Sequence, residues 1–175
     1  QTGDTERLLE LNLRLATLWQ QQLKDPGSAV EYYSRVLSLA PGHIGAHQQL
    51  AHLYEQLGQP YAALSHYEDY LASVKRSDVP DAELGLIYER LGRLILTSQG
   101  SVEQALACFE QALQLSPERQ SLYDILVQIL AQSSDAYRLR QCLEKATATA
   151  NASLKRWAQL KMADVERRFL QDPES

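Results

Sequence analysis

The stretch Leu50–Leu71, LAHLYEQLGQPYAALSHYEDYL, limits what this chain can fold into more than any other. Leu50, Leu53, Tyr54 and Leu57 recur at the three- and four-residue spacing of one helical face. Gly58, Gln59 and Pro60 break that pattern, and Ala63, Leu64, Tyr67, Tyr70 and Leu71 resume it. The spacing predicts two amphipathic helices joined by a tight turn. Ala51 and Ala63 are small where two backbones have to pass closely. A hairpin of this kind carries more apolar surface than it can cover alone, so it needs neighbours of its own type.

The neighbours are present. AVEYYSRVLSLAP (Ala29–Pro41) and ALACFEQALQLSP (Ala105–Pro117) match the second half of the central stretch. Leu15-Ala16, Leu50-Ala51, Leu91-Gly92 and Leu126-Val127 open the corresponding first helices, and Trp19, Tyr54, Ile95 and Leu130 follow by the same step. This pattern of Leu-small, aromatic, Gly, then Ala, aromatic, Ala-Leu and a closing Pro resembles the tetratricopeptide repeat, whose period is about 34 residues. The resemblance covers roughly Leu8 to Ala150. It implies an all-α fold, a right-handed α-solenoid (superhelix) of about four helix pairs plus a capping helix. As a single domain the chain divides into repeat 1 at about 9–43, repeat 2 at about 44–77 and repeat 3 at about 80–119. A degenerate repeat 4 at about 120–150 and the capping helix at about 151–170 complete it.

Punctuation refines the helices. Asp4 or Thr5 is expected to cap the first, which runs through Leu8, Leu11, Leu15, Leu18 and Trp19 to about Leu23. Asp25 or Ser28 caps the second, and Pro41-Gly42 ends it. After Leu71 an insertion, VKRSDVPDAE, shifts the phase, and a helix restarts near Pro80-Asp81 and reaches about Thr97. Another follows from Val102 to Leu115. The fourth pair starts at Gln120, with its turn at Ser133-Ser134-Asp135. Leu139 stands where the other units have alanine, so this pair is expected to be splayed or shifted. The last helix runs from about Asn151 to Leu170, before Asp172-Pro173. Leu154, Ala158, Met162, Val165 and Phe169 form its stripe, with Trp157 and Leu160 beside it. Lys155, Arg156, Lys161, Arg167 and Arg168 make it basic against Asp164 and Glu166. It is expected to cover the open end of the array, with docking of an acidic partner or of a second copy as the alternative.

Composition closes off several functions. A formal charge of -5 argues against a general nucleic-acid binder. No segment approaches the roughly 18 uninterrupted apolar residues of a membrane span. The start, QTGDTERLLE, has no apolar signal core and reads as the cut end of a longer chain; a cytoplasmic location is favoured. Cys108 and Cys142 fall at the same point of successive second helices, too far apart for a disulfide, and are expected to be free thiols. No Gly-rich phosphate loop, GxSxG or HExxH occurs, so no catalytic residue and no cofactor is expected. His43 and His47 are four apart, a spacing that can share a metal on a helix. His43, however, falls in a turn with no Cys or carboxylate beside it, so no metal site is expected. Asn151-Ala152-Ser153 is a formal glycosylation sequon. The tyrosines, Tyr33, Tyr54, Tyr67, Tyr70, Tyr88 and Tyr123 among them, sit mostly at helix-packing positions.

The resemblance implies a concave groove lined by the first helix of each pair. Carried over residue by residue, it selects Leu13, Thr17, Gln20 and Gln21, then Gln48, His52, Glu55 and Gln56. From the third and fourth units it takes Glu89, Arg93, Leu96 and Thr97, then Asp124, Gln128 and Gln132. Primary amides both donate and accept, which suits the backbone of an extended peptide or the polar face of a helix. Chaperone-binding members of the family hold a peptide carboxylate with Lys, Asn and Arg side chains. Arg93 matches that clamp, but Leu13 and Thr17 lack its polar groups, His52 replaces an Asn and Glu89 replaces a Lys. No carboxylate-clamp activity is expected. The implied function is a non-catalytic protein–protein adaptor; the alternatives are a docking segment of a larger multidomain enzyme and a homo-oligomerisation module.

Overall fold

The computed structural model describes residues 2–133 and 135–171. Among these there are nine α-helices, one 3-10 turn at Arg76–Asp78 and no strand. The helices are α1 (Thr2–Gln21), α2 (Pro26–Leu39), α3 (Ile44–Gln56), α4 (Pro60–Ser73) and α5 (Asp81–Thr97). They continue as α6 (Val102–Leu115), α7 (Gln120–Gln132), α8 (Ala136–Ala148) and α9 (Ala152–Gln171). The extents expected for α5 and α6 match those observed.

Local chemistry sets the boundaries. Asp25 caps α2: its Oδ1 accepts from the backbone N–H of Gly27 (3.0 Å) and of Ser28 (3.2 Å). The Ser28 hydroxyl donates to its Oδ2, and these bonds hold the carboxyl below its usual range, the hydroxyl contributing most. Proline follows at the first helical position, where its missing N–H costs nothing. At the other end of α3, Gly58 takes φ of 68°, and Gln59 N–H donates to the Tyr54 carbonyl at 2.9 Å. Gly58 N–H donates to the Glu55 carbonyl, completing the left-handed cap that favours glycine. The same cap closes α5 without glycine. Gln99 carries φ of 57°, and Gly100 N–H donates to Ile95. A side chain on Gly100 would lie 2.8 Å from Ile95, so the glycine is spent on close approach instead. Asn151 caps α9, its Oδ1 accepting from the N–H groups of Ser153 and Leu154. The sequon asparagine therefore has a structural task.

Two expectations need correction. The first helix begins at Thr2, so Asp4 lies inside its first turn rather than capping it. That helix ends at Gln21, two residues short of Leu23, and Lys24 turns the chain with φ of 54°. Leu160 is 65% exposed and lies, as expected, beside the buried stripe of α9, to which Leu154 and Ala158 belong. The side chains of Arg168 and Phe169, together with Ser134 and Asp172-Pro173, lie outside the described residues.

The chain forms two compact units. One comprises Gln1–Pro80 with Arg93–Ala105, the other Asp81–Gly92 with Leu106–Ser175. In the first, Ala16, Ala29, Tyr33, Val36, Ala46, Leu50 and Leu53 make one buried cluster shared by α1, α2 and α3. Ala63, Tyr67 and Tyr70 of α4 are buried with Leu53 and Ala51 of α3. In the second, Phe109 is wholly buried and its ring would meet a Cβ on Gly92 at 2.9 Å, so glycine is what lets α5 and α6 close up. Leu122, Tyr123, Leu126, Leu143, Ala146 and Leu154 continue that core. Leu139, buried at the position held by Ala29, Ala63 and Ala105 elsewhere, brings a larger side chain between α7 and α8.

Candidate functional site

The residues selected from the sequence separate into three kinds. Some face water. Gln21, Gln56, Asp124, Gln128 and Gln132 are exposed, as are Thr17, Thr97 and Arg93. The Thr17 and Thr97 hydroxyls turn back to their own helix, donating to the carbonyls of Leu13 and Leu94. Others are half-buried: Leu13, Gln48, His52, Glu55 and Leu96. His52 packs its ring beside Tyr67, 5.8 Å between centroids, and the Tyr67 hydroxyl donates to Glu55 Oε2 at 3.0 Å.

The third kind is absorbed by the fold. Gln20 spends both ends of its amide internally: its Nε2 donates to Gln49 Oε1 (2.9 Å) and its Oε1 accepts from the Tyr33 hydroxyl (3.0 Å). That chain ties α2 to α1 and α1 to α3. Glu89 is 7% exposed and pairs with Arg119 Nη2 at 2.8 Å, at the start of α7. Its negative charge is matched inside the second unit.

Two features were not anticipated. In the second unit, Leu113, Pro117, Tyr123 and Ala148 line an open cleft of about 470 Å³, with Glu110 and Lys145 also in its wall. Burial pushes the Tyr123 phenol up to about 12, and its hydroxyl donates to the Pro117 carbonyl at 3.1 Å. Burial also raises the Cys142 thiol to about 12, so it stays a protonated packing group at neutral pH. Neither cysteine is in a disulfide.

The other feature lies in the α3–α4 hairpin. His43 is a cap: its Nδ1 accepts from Ala46 N–H at 3.0 Å. His47 turns away from it, towards His66, with 3.1 Å between the two Nδ1 atoms. Asp69 Oδ2 lies 3.6 Å from His47 Nδ1, and the Pro41 carbonyl 2.9 Å from His47 Nε2. Burial first, and then the neighbouring His47, lower the pKa of His66, with Asp69 acting in the opposite sense. The signal in the sequence was His66-x-x-Asp69, an i,i+3 pair on α4 facing the helix that carries His47. The pairing crosses the turn, where in-helix spacing has no reach.

Among the described residues no helix is long and apolar enough to cross a membrane. The sequence model of the tetratricopeptide repeat matches residues 10–43, 44–72 and 87–119. No curated relative matches the sequence. Among solved structures, a MamA protein aligns with a TM-score of 0.64 at 14% identity, covering 97% of this chain and 96% of its own. The first TPR of Spaghetti (RPAP3), bound to the HSP90 peptide SRMEEVD, aligns with a TM-score of 0.53 at 20% identity, over 78% of this chain and 97% of its own. An O-GlcNAc transferase variant from Thermobaculum terrenum aligns with a TM-score of 0.53 at 22% identity, over 82% of this chain but 26% of its own. These likenesses establish the fold class, the α-solenoid. Repeats of this type are protein-interaction scaffolds and are generally non-catalytic. With three repeats matched over more than half of its length, the chain belongs to the tetratricopeptide repeat family.

Proposed function

We propose that this chain is a non-catalytic adaptor that takes a peptide or helix of a partner protein on the polar faces of its first helices. In the first unit that face comprises Gln21, Gln48, His52 and Gln56; in the second it comprises Asp124, Gln128 and Gln132. The observation that carries this is the Tyr33–Gln20–Gln49 chain, which holds α1 beside α3 with fixed register. Gln21, Gln48 and Gln56 stand on those two helices with amides that can meet a peptide backbone, whose donors and acceptors need partners when they leave water. Most of the affinity would rest on a few anchors, of which His52, packed beside Tyr67, is one.

The test is selection of binders from a displayed random-peptide library, followed by NMR mapping of a selected peptide. Backbone shifts should concentrate at Gln48, His52 and Gln56, and His52→Ala should weaken binding roughly tenfold, a typical anchor loss. Shifts confined to α2 and α4 would defeat the proposal. A peptide ending in EEVD, titrated in a calorimeter, should give no saturable heat, because the clamp's Lys and Asn are missing here. Self-association through α9 is the second reading, favoured by exposed Leu160 amid exposed Lys155, Arg156 and Lys161. Light scattering across a concentration range decides it.

A further inference from the structure

We infer that His47, His66 and Asp69 form a binding site for a divalent transition-metal ion, with zinc as the archetype, clasping α3 to α4. One ligand atom from each of the three lies within 4.8 Å of the others. Two ligands on a tetrahedral zinc ion stand about 3.3 Å apart, because each bond is ~2.0–2.1 Å long. The observed 3.1 Å between the Nδ1 atoms and 3.6 Å from His47 Nδ1 to Asp69 Oδ2 bracket that value.

The surroundings prepare the ligands. The Pro41 carbonyl can only accept, so the Nε2 of His47 carries the hydrogen. A neutral His47 ring then presents a bare Nδ1 lone pair to the cluster, which is how an outer partner fixes the tautomer of a ligating histidine. His66 is held flat against Tyr54, with ring planes 4° apart and centroids 5.5 Å apart. His47 is buried, His66 half-buried and Asp69 exposed, so the ion has a route in and a fourth position open to water. Two imidazoles and one carboxylate suit zinc, copper, nickel or cobalt rather than magnesium or calcium. Without metal the same geometry is a hydrogen bond from His66 Nδ1–H to His47 Nδ1, and the two states predict different protonation of His66.

The chain free of any affinity tag is titrated with zinc chloride in a calorimeter, and its imidazole nitrogens are followed by long-range proton–nitrogen NMR. The expected result is one ion per chain, a higher melting temperature, and His66 changing from the Nδ1–H to the Nε2–H form as Nδ1 coordinates. His66→Gln should weaken uptake tenfold or more. Asp69→Asn, at an exposed position that spares the fold, should weaken it as well, while His52→Gln should leave it unchanged. Absence of saturable uptake up to about 1 mM zinc, a concentration that would detect even weak affinity, overturns the assignment. So does uptake undiminished in both His66→Gln and Asp69→Asn, or coordination through Nε2.

Discussion

The two units of this molecule hold their helices together with different chemistry. In the first, uncharged ties join helices, Tyr33 to Gln20 to Gln49 and His47 to His66, beside the bond from Tyr67 to the Glu55 carboxylate. In the second, the corresponding work falls to ions. Glu89 meets Arg119 in a buried position, and Arg138 approaches Glu110 at 3.4 Å nearer the surface. A neutral hydrogen bond replaces one made to water and nets about 1 kcal/mol. A buried ion pair gains little over an apolar pair of the same shape, yet losing one partner strands a charge. Removing one partner of such a tie should therefore cost less in the first unit than in the second.

The sharpest way to break that contrast is Arg119→Met. It takes the Arg119 cation away from the buried Glu89 carboxylate, and about 3 kcal/mol should be lost in a denaturant melt. Adding Glu89→Leu should recover most of it. Next is a steric exchange between hairpins. Ala63→Leu forces a larger side chain between α3 and α4 and should cost about 2–3 kcal/mol, whereas α7 and α8 already accommodate Leu139. If Ala63→Leu proved neutral, alanine would not be what sets that spacing. Gln20→Ala removes two neutral hydrogen bonds at once and should cost about 1–2 kcal/mol, visibly less than Arg119→Met. The smallest effect carries the opposite sign. Gln99→Gly relieves a left-handed residue at the end of α5 and should raise stability by about 0.5–1 kcal/mol; Gly58→Ala, at the matching point of α3, should lower it by a similar amount.

Much of the fold was legible because it rests on short-range rules. Pro80-Asp81 and Pro117 mark their helix boundaries by backbone chemistry alone, and the Leu-Ala and Ala-aromatic steps show which faces turn inward. What escaped depended on partners distant in sequence. Nothing around Gln20 reveals that Tyr33 and Gln49 will occupy its amide, so it looked as available as Gln21. Glu89 sat on the expected face of α5, but Arg119, thirty residues on, draws it into the interior. His43 and His47 share a spacing that suits one helix, but the companions of His47 stand on the next.

The shared cluster of α1, α2 and α3 also bears on where this protein can be cut. Ala46, Leu50 and Leu53 complete a core begun by Ala16, Ala29, Tyr33 and Val36. Removing residues 1–43, although it excises a whole repeat, would leave Leu50 and Leu53 on a sticky end. A shortened version would need a replacement lid with polar residues on its outer side, or it would find one by clumping.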